Sequence, residues 1–86
     1  MRIGIAITSS GKRLNIDADP TMLGDEIIEQ LLNANVILPA PDGQTYVLAF
    51  KDRNEHAQLD MGNTLQANGV EENDVLALSY GGIAGA

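Results

Sequence analysis

One long segment with the spacing of an amphipathic helix lies between segments whose side chains alternate. This order limits the folds open to the chain. The helical segment runs from about Met22 to Asn33. Two starts fit it: Asp19 as the cap with Pro20 at the first helical position, or Thr21 as the cap. One apolar stripe runs along the segment, made of Leu23, Ile27, Ile28, Leu31 and Leu32. One such helix can cover one face of a sheet, which predicts a two-layer domain.

Four segments alternate between apolar and other side chains, as strands with one buried face do. They are Arg2–Thr8, Arg13–Ala18, Thr45–Lys51 and Asp74–Tyr80. The turn at Ser9–Lys12, in which Gly11 can take a positive φ, joins the first two strands into a hairpin. We expect a further short strand at Ala57–Asp60. A helical turn is expected at Asn63–Asn68, ended by Gly69.

The predicted fold class is therefore α+β, with elements in the order β-β-α-β-β-β. A mixed β-sheet of four or five strands packs on one α-helix in this prediction. The inward positions of the strands and the helix stripe supply the expected core. Its members are Ile3, Ile5, Ile7, Leu14, Ile16, Leu23, Ile27, Leu31, Leu48, Phe50, Leu59, Leu65, Val70, Leu76 and Leu78.

Composition excludes several classes of function. The 86 residues include no cysteine, which excludes a disulfide framework, a thiol nucleophile and thiolate metal sites. The net charge of −7 makes nucleic acid a poor partner, because phosphate backbones would be repelled. The longest apolar runs are too short to span a bilayer, and the N-terminus has the pattern of a strand rather than of a signal peptide. We therefore expect a cytoplasmic protein with no membrane association.

The second half of the chain carries a recognisable pattern, LDMGNTLQANGVEENDVLAL. Its marker positions are Leu59, Asp60, Gly62, Thr64, Leu65, Val70, Leu76 and Leu78. The N-terminal hairpin, Pro20 before the helix and Leu38-Pro39 after it belong to the same arrangement. Together these features resemble ubiquitin and its relatives over almost the whole chain, with short insertions around residues 40–44 and 53–56. The resemblance implies a ubiquitin-like β-grasp fold.

The resemblance also gives a meaning to the terminal sequence SYGGIAGA. Conjugated ubiquitin-like proteins end in Gly-Gly, often after a protease removes extra residues. By this resemblance, residues 1–80 form the domain and residues 81–86 form a flexible tail. Gly81 and Gly82 would be the Gly-Gly pair of the mature end, and cleavage before Ile83 would remove IAGA.

The tail departs from ubiquitin in its reach. Only Ser79 and Tyr80 separate Leu78 from the two glycines, whereas ubiquitin has several residues there, arginines among them. We therefore expect enzymes to recognise Ser79 and Tyr80 instead of a basic tail.

The resemblance implies a protein modifier rather than an enzyme, with no cofactor of its own. A processing peptidase, a ubiquitin-activating-type enzyme, a conjugating-type enzyme and target proteins would be its partners, in a bacterial ubiquitination-like pathway. Glycines suit this role because they let the backbone enter a narrow groove. Two alternatives stay open. One is a sulfur carrier like the ThiS and MoaD proteins, and the other is a non-conjugated interaction module like the accessory proteins of type VII secretion.

Few other residues suggest chemistry. Lys12 and Lys51 are the only lysines and could accept further copies in a chain, although solvated charges explain them more simply. His56 is the only histidine and lacks the convergent ligands that a metal site needs, so we expect no metal site and no catalytic residue. The positions where ubiquitin carries its apolar patch are small or polar, so we expect that patch to be largely absent. They are Thr8, Val47, Ala49, Ala77 and Ser79.

Overall fold

A computed structural model of the chain describes residues 1–51 and 57–81. Two strands form the N-terminal hairpin, β1 (Arg2–Ile7) and β2 (Lys12–Asp17). One helix follows, α1 (Gly24–Asn33). Two further strands complete the described part, β3 (Thr45–Phe50) and β4 (Val75–Gly81).

The four strands form one mixed sheet in the order β2-β1-β4-β3. β1 runs antiparallel to β2 and parallel to β4, and β3 runs antiparallel to β4. The helix packs its buried residues Ile27 and Leu31 into the same core as the inward side chains of the sheet. The prediction of an α+β domain with a mixed sheet and one helix is confirmed.

The predicted strand at Ala57–Asp60 is reduced to a single bridge between Gln58 and Ala49. On either side of this bridge, Phe50 N–H donates to the Ala57 carbonyl at 2.9 Å and Leu59 N–H donates to the Leu48 carbonyl at 2.8 Å. The pairing ends because the Asp60 carboxylate accepts from Gly62 N–H at 3.1 Å, which turns the chain. The described elements therefore have the order β-β-α-β-β, one strand fewer than predicted.

The core follows the predicted alternation, with three exceptions at its margin. Leu14 and Ile16 are half-buried because β2 is an edge strand, and Leu23 is half-buried at the start of the helix. These three predicted core residues are therefore not among the buried ones, and Leu14 and Ile16 pack against the core from its margin. The core also contains side chains that the prediction did not include, namely Ala18, Ile37 and Tyr46.

The helix begins later than either predicted cap. Its N-cap is Leu23, whose N–H donates to the Glu26 carboxylate at 2.8 Å. Asp19 instead accepts from the backbone N–H and the hydroxyl of Thr21, and these bonds lower the pKa of its carboxyl. The segment between Asp19 and Leu23 is bound to a distant part of the chain, since Leu65 N–H donates to the Met22 carbonyl at 2.8 Å. The prediction of a cap at Asp19 or Thr21 was wrong for this reason.

Gly24 occupies the first turn of α1 because the chain around Met61 passes close by. A Cβ at residue 24 would lie 2.9 Å from the Met61 sulfur and 3.1 Å from the Met61 Cα. Asp25 N–H also donates to the Met61 carbonyl at 3.0 Å, which holds the two segments together. A glycine that weakens the helix by its own propensity is therefore required by packing.

We predict that Gly24→Ala lowers the free energy of unfolding by about 1–3 kcal/mol, because overpacking outweighs the gain in helix propensity. Gly62→Ala is the matched control, since its Cβ would meet nothing closer than 3.6 Å. The control should change stability by less than about 0.5 kcal/mol. Urea unfolding of both variants measures these values. A Gly24→Ala protein as stable as the parent would contradict the close packing.

Candidate functional site

The last strand reaches the C-terminal glycines from the middle of the sheet. β4 pairs with β1 on one side, with Ile7 opposite Leu78. On the other side it pairs with β3, and this register continues to Gly81, which lies opposite Thr45. The strand thus extends one residue past the predicted domain boundary at residue 80. Gly82 and Ile83 lie outside the described residues, so the predicted cleavage position stays a prediction.

Tyr80, predicted as a recognition residue, packs against a second tyrosine at this end of the sheet. The rings of Tyr80 and Tyr46 have centroids 5.0 Å apart at an angle of 32°. Tyr46 is buried, whereas Tyr80 keeps 38% of its surface exposed. A ring that is fixed on one face and exposed on the other can contact a partner at little cost in conformational entropy.

The helix is terminated by an asparagine rather than by the usual glycine, and the chain that follows runs to the same end of the sheet. Asn35 takes a positive φ of 59°, the left-handed conformation that ends many helices. Asn35 N–H donates to the Leu32 carbonyl and Val36 N–H donates to the Leu31 carbonyl, both at 3.0 Å. This pair of hydrogen bonds fixes the direction in which residues 36–38 leave the helix.

The residues after this stop alternate between buried and exposed. Ile37 is buried in the core, whereas Val36 is 40% exposed and Leu38 is 78% exposed. The Tyr46 hydroxyl donates to the Leu38 carbonyl, which ties this loop to the tyrosine pair. Sequence reasoning missed the site role of Val36, Leu38 and Tyr46. The signal that could have found Val36 and Leu38 is the asparagine helix stop directly before three apolar residues.

Two small cavities lie beside Tyr80. One, of about 160 Å³, is lined by Ile7, Ser9, Ser10, Val36, Ile37, Leu38, Tyr46 and Tyr80. The other, of about 200 Å³, is lined by Thr8, Ser9, Tyr46, Leu78, Ser79 and Tyr80. The linings contain hydroxyl groups and apolar side chains but no carboxylate, ammonium or guanidinium. The surroundings of Tyr80 therefore suit a neutral, largely apolar partner surface.

A larger cavity, of about 370 Å³, lies on the other side of Tyr46, between α1 and the start of β3. Asp25 and Glu29 stand at its edge, and both are exposed to water. Exposed carboxylates one helical turn apart give no reason to assign an acid–base pair. We therefore place the candidate site at the tyrosine side, where the C-terminal strand ends.

Ser79, the second predicted recognition residue, lies on the outer face of the sheet. It is opposite Val47, and Ala77 is opposite Ala49 in the next row of the same face. Because strand side chains alternate, Ser79 and Tyr80 lie on opposite faces of the sheet. The two predicted recognition residues therefore lie on opposite faces of β4, although both line the cavity of about 200 Å³ described above.

The outer face itself is built of small side chains, as its sequence predicts. Ala6, Ala77 and Ala49 form one row across three strands, with Arg13 at its β2 end. Lys12 and Lys51, the predicted chain acceptors, are both exposed. They line a groove of about 310 Å³ on this face together with Arg13. Each amine can therefore be reached from solvent, but nothing in its surroundings distinguishes one as an acceptor.

Other kinds of site find no support in the described part of the chain. Residues 1–51 and 57–81 contain no group of three histidine, cysteine, aspartate or glutamate side chains placed to hold a metal ion. His56 lies outside these residues. Within the same two segments no helix has both the length and the apolar character needed to cross a membrane.

Comparison with known proteins adds no family. No protein-family model matches the sequence. No curated protein shows significant similarity to it.

Burial raises the pKa of the Tyr46 hydroxyl to about 12, and the neighbouring Tyr80 hydroxyl adds to the increase. A tyrosine whose folded pKa exceeds its unfolded value of 10.0 stabilises the fold while it is protonated in both states. This contribution is complete below pH 10 and is lost as the pH rises to about 12.

We predict that Tyr46→Phe loses less stability than the parent protein between these two pH values, because it has no Tyr46 proton to lose. At neutral pH the same change should cost about 0.5–1.5 kcal/mol, since the Leu38 carbonyl loses its donor. Urea unfolding across this pH range measures both effects. Tyr80→Phe is the comparison that keeps the Tyr46 hydroxyl, and its alkaline loss through Tyr46 should be smaller than in the parent because the Tyr80 hydroxyl adds to the raised pKa of Tyr46. Equal alkaline losses in Tyr46→Phe and the parent would refute the assignment.

Proposed function

We propose that this chain is a ubiquitin-like protein modifier of the β-grasp class, made as a precursor. A peptidase hydrolyses the bond between Gly82 and Ile83, and an ATP-dependent activating enzyme then acts on the new carboxylate. The observation that carries this proposal is the placement of the glycine pair. Gly81 is the last residue of β4, a strand paired on both sides, and Gly82 follows it directly.

This placement suits a protein whose C-terminal carboxyl group is bound and modified by other proteins. β4 is held by two neighbours as far as Leu78 and by β3 alone as far as Gly81, and this pairing defines the position and direction of its end. Leu76 and Leu78 are almost completely buried and anchor the strand from below. Gly82, the residue after β4 in the sequence, has no side chain to hinder an enzyme groove that closes on its backbone.

The chemistry needs nothing from the chain except this carboxylate. The Gly82 carboxylate attacks the α-phosphorus of ATP, and pyrophosphate leaves. An enzyme thiolate then attacks the acyl adenylate and releases AMP, which leaves a thioester. A target amine displaces the thiol and forms an amide. The thiol and the nucleotide both belong to the enzymes, which agrees with a chain that contains no cysteine.

The sulfur carrier and the non-conjugated module remain the alternatives. A sulfur carrier uses the same glycine end, but proteins of that kind normally end at Gly-Gly without an extension. A non-conjugated module uses a surface of the domain and does not need the glycines. The three differ in the covalent state of the mature chain, which makes that state the decisive observable.

We predict that the mature protein in its native host has lost Ile83–Ala86 and is joined to other proteins through Gly82. Intact mass measurement of the purified protein checks the first part, and mass spectrometry of its conjugates checks the second. A shortened chain that carries an added sulfur at its end would indicate the carrier instead. A chain that still carries Ala86 and has no partner attached would indicate the module.

The substitution Gly82→Trp should abolish maturation in the same host, because the new side chain displaces the reacting carbonyl. A displacement of about 1 Å can cost about a hundredfold in rate. Gly85→Trp is the matched control, since it places the same side chain in the part to be removed, and it should mature normally. If Gly82→Trp protein retained full biological activity, neither carboxyl chemistry would be tenable.

A further inference from the structure

The large apolar side chains that the described residues leave exposed lie at one place. They are Val36, Leu38 and Tyr80, and all three line the same cavity at the end of β4. We call these three residues the apolar rim. Contiguous exposed apolar surface on a small protein commonly marks a contact site.

The rim is held in place by the backbone. Val36 N–H donates to the Leu31 carbonyl at 3.0 Å, and the Leu38 carbonyl accepts from the Tyr46 hydroxyl. Tyr80 belongs to β4 and stacks on Tyr46. An apolar surface whose backbone is already fixed loses less entropy when a partner covers it than one on an unordered segment.

Two occupants other than an enzyme fit the rim poorly. Ile83 is the only large apolar side chain after Gly81 in the sequence, and burying one isoleucine does not offset the entropy of ordering the residues that carry it. A second copy would bring together two chains of net charge −7 over three side chains. That area is far below the area of a stable dimer interface.

The position of the rim favours a partner that also holds the C-terminal residues. Consecutive Cα atoms are about 3.8 Å apart, so the Gly82 backbone begins one such step beyond the last paired residue of β4. A protein groove that encloses the bond after Gly82 therefore lies next to the end of the sheet. Tyr80 lies one residue before Gly81, and the other two rim residues share its cavity.

We propose that the apolar rim is the docking surface for the peptidase that hydrolyses the bond between Gly82 and Ile83. This inference rests on the proposed function. The rim supplies the contact that the short tail lacks, because rim and tail are engaged by one protein at the same time. The cavity lining carries no carboxylate, ammonium or guanidinium, so the peptidase presents apolar side chains here and the rim contact is insensitive to salt.

The test uses the full 86-residue chain incubated in extract of the native host, with loss of Ile83–Ala86 followed by intact mass. Leu38→Ser should slow cleavage at least about tenfold, as loss of a central apolar contact does, at both low and high salt. Leu38→Met keeps the apolar surface and should be cleaved at close to the parent rate. Gln66→Ser, at an exposed position that does not line the rim cavity, is the control for an exposed change to serine.

Folding does not confuse this test, because Leu38 is 78% exposed and the substitution leaves the core unchanged. Thermal melts of each variant check this directly. Parent-like cleavage of Leu38→Ser and of the double variant Val36→Ser, Leu38→Ser would overturn the rim inference while leaving the proposed function intact. If the parent protein itself kept Ile83–Ala86, the proposed function would fail and the rim inference would fail with it.

Discussion

The pairing of β4 between β1 and β3 is the constraint on which the rest of the structure depends. Leu76 and Leu78 are almost completely buried, and each lies in a row that continues into both neighbouring strands. β4 is thus inserted between the first hairpin and β3, so the sheet is complete only when β4 is in place. This arrangement couples the stability of the domain to the residues that directly precede the two glycines.

The same constraint brings otherwise distant residues to one end of the sheet. Tyr80 meets Tyr46 because β3 and β4 are antiparallel and in register there. The Tyr46 hydroxyl then reaches the Leu38 carbonyl, and the helix stop at Asn35 sets the position of that loop. A site near the glycines is therefore built from the helix exit, β3 and β4. None of these segments specifies it alone.

The sequence predicted the parts of this structure that local patterns determine. The alternation of Ile3, Ile5 and Ile7 identified the inward face of β1, and the helix stripe identified which side of α1 is buried. The helix start was missed because it depends on a distant segment. The backbone around Met61 and Thr64 forms hydrogen bonds with the backbone around Gly24.

The site was predicted only in part, for a similar reason. Tyr80 was named from its position before the glycines, whereas Val36 and Leu38 become part of the site only through tertiary packing. Tyr46 lies at a core-facing position of the alternating strand pattern, but its hydrogen bond to the loop has no local signal.

The amide protons of Leu76–Ser79 test the central claim most directly, by hydrogen exchange. We predict that they exchange only through global unfolding, with the same free energy as Ala49, which pairs with Ala77 in the middle of the sheet. Exchange of Ser79 with a much smaller free energy, through a frayed strand end, would contradict the claim that β4 holds Gly81 in a fixed position.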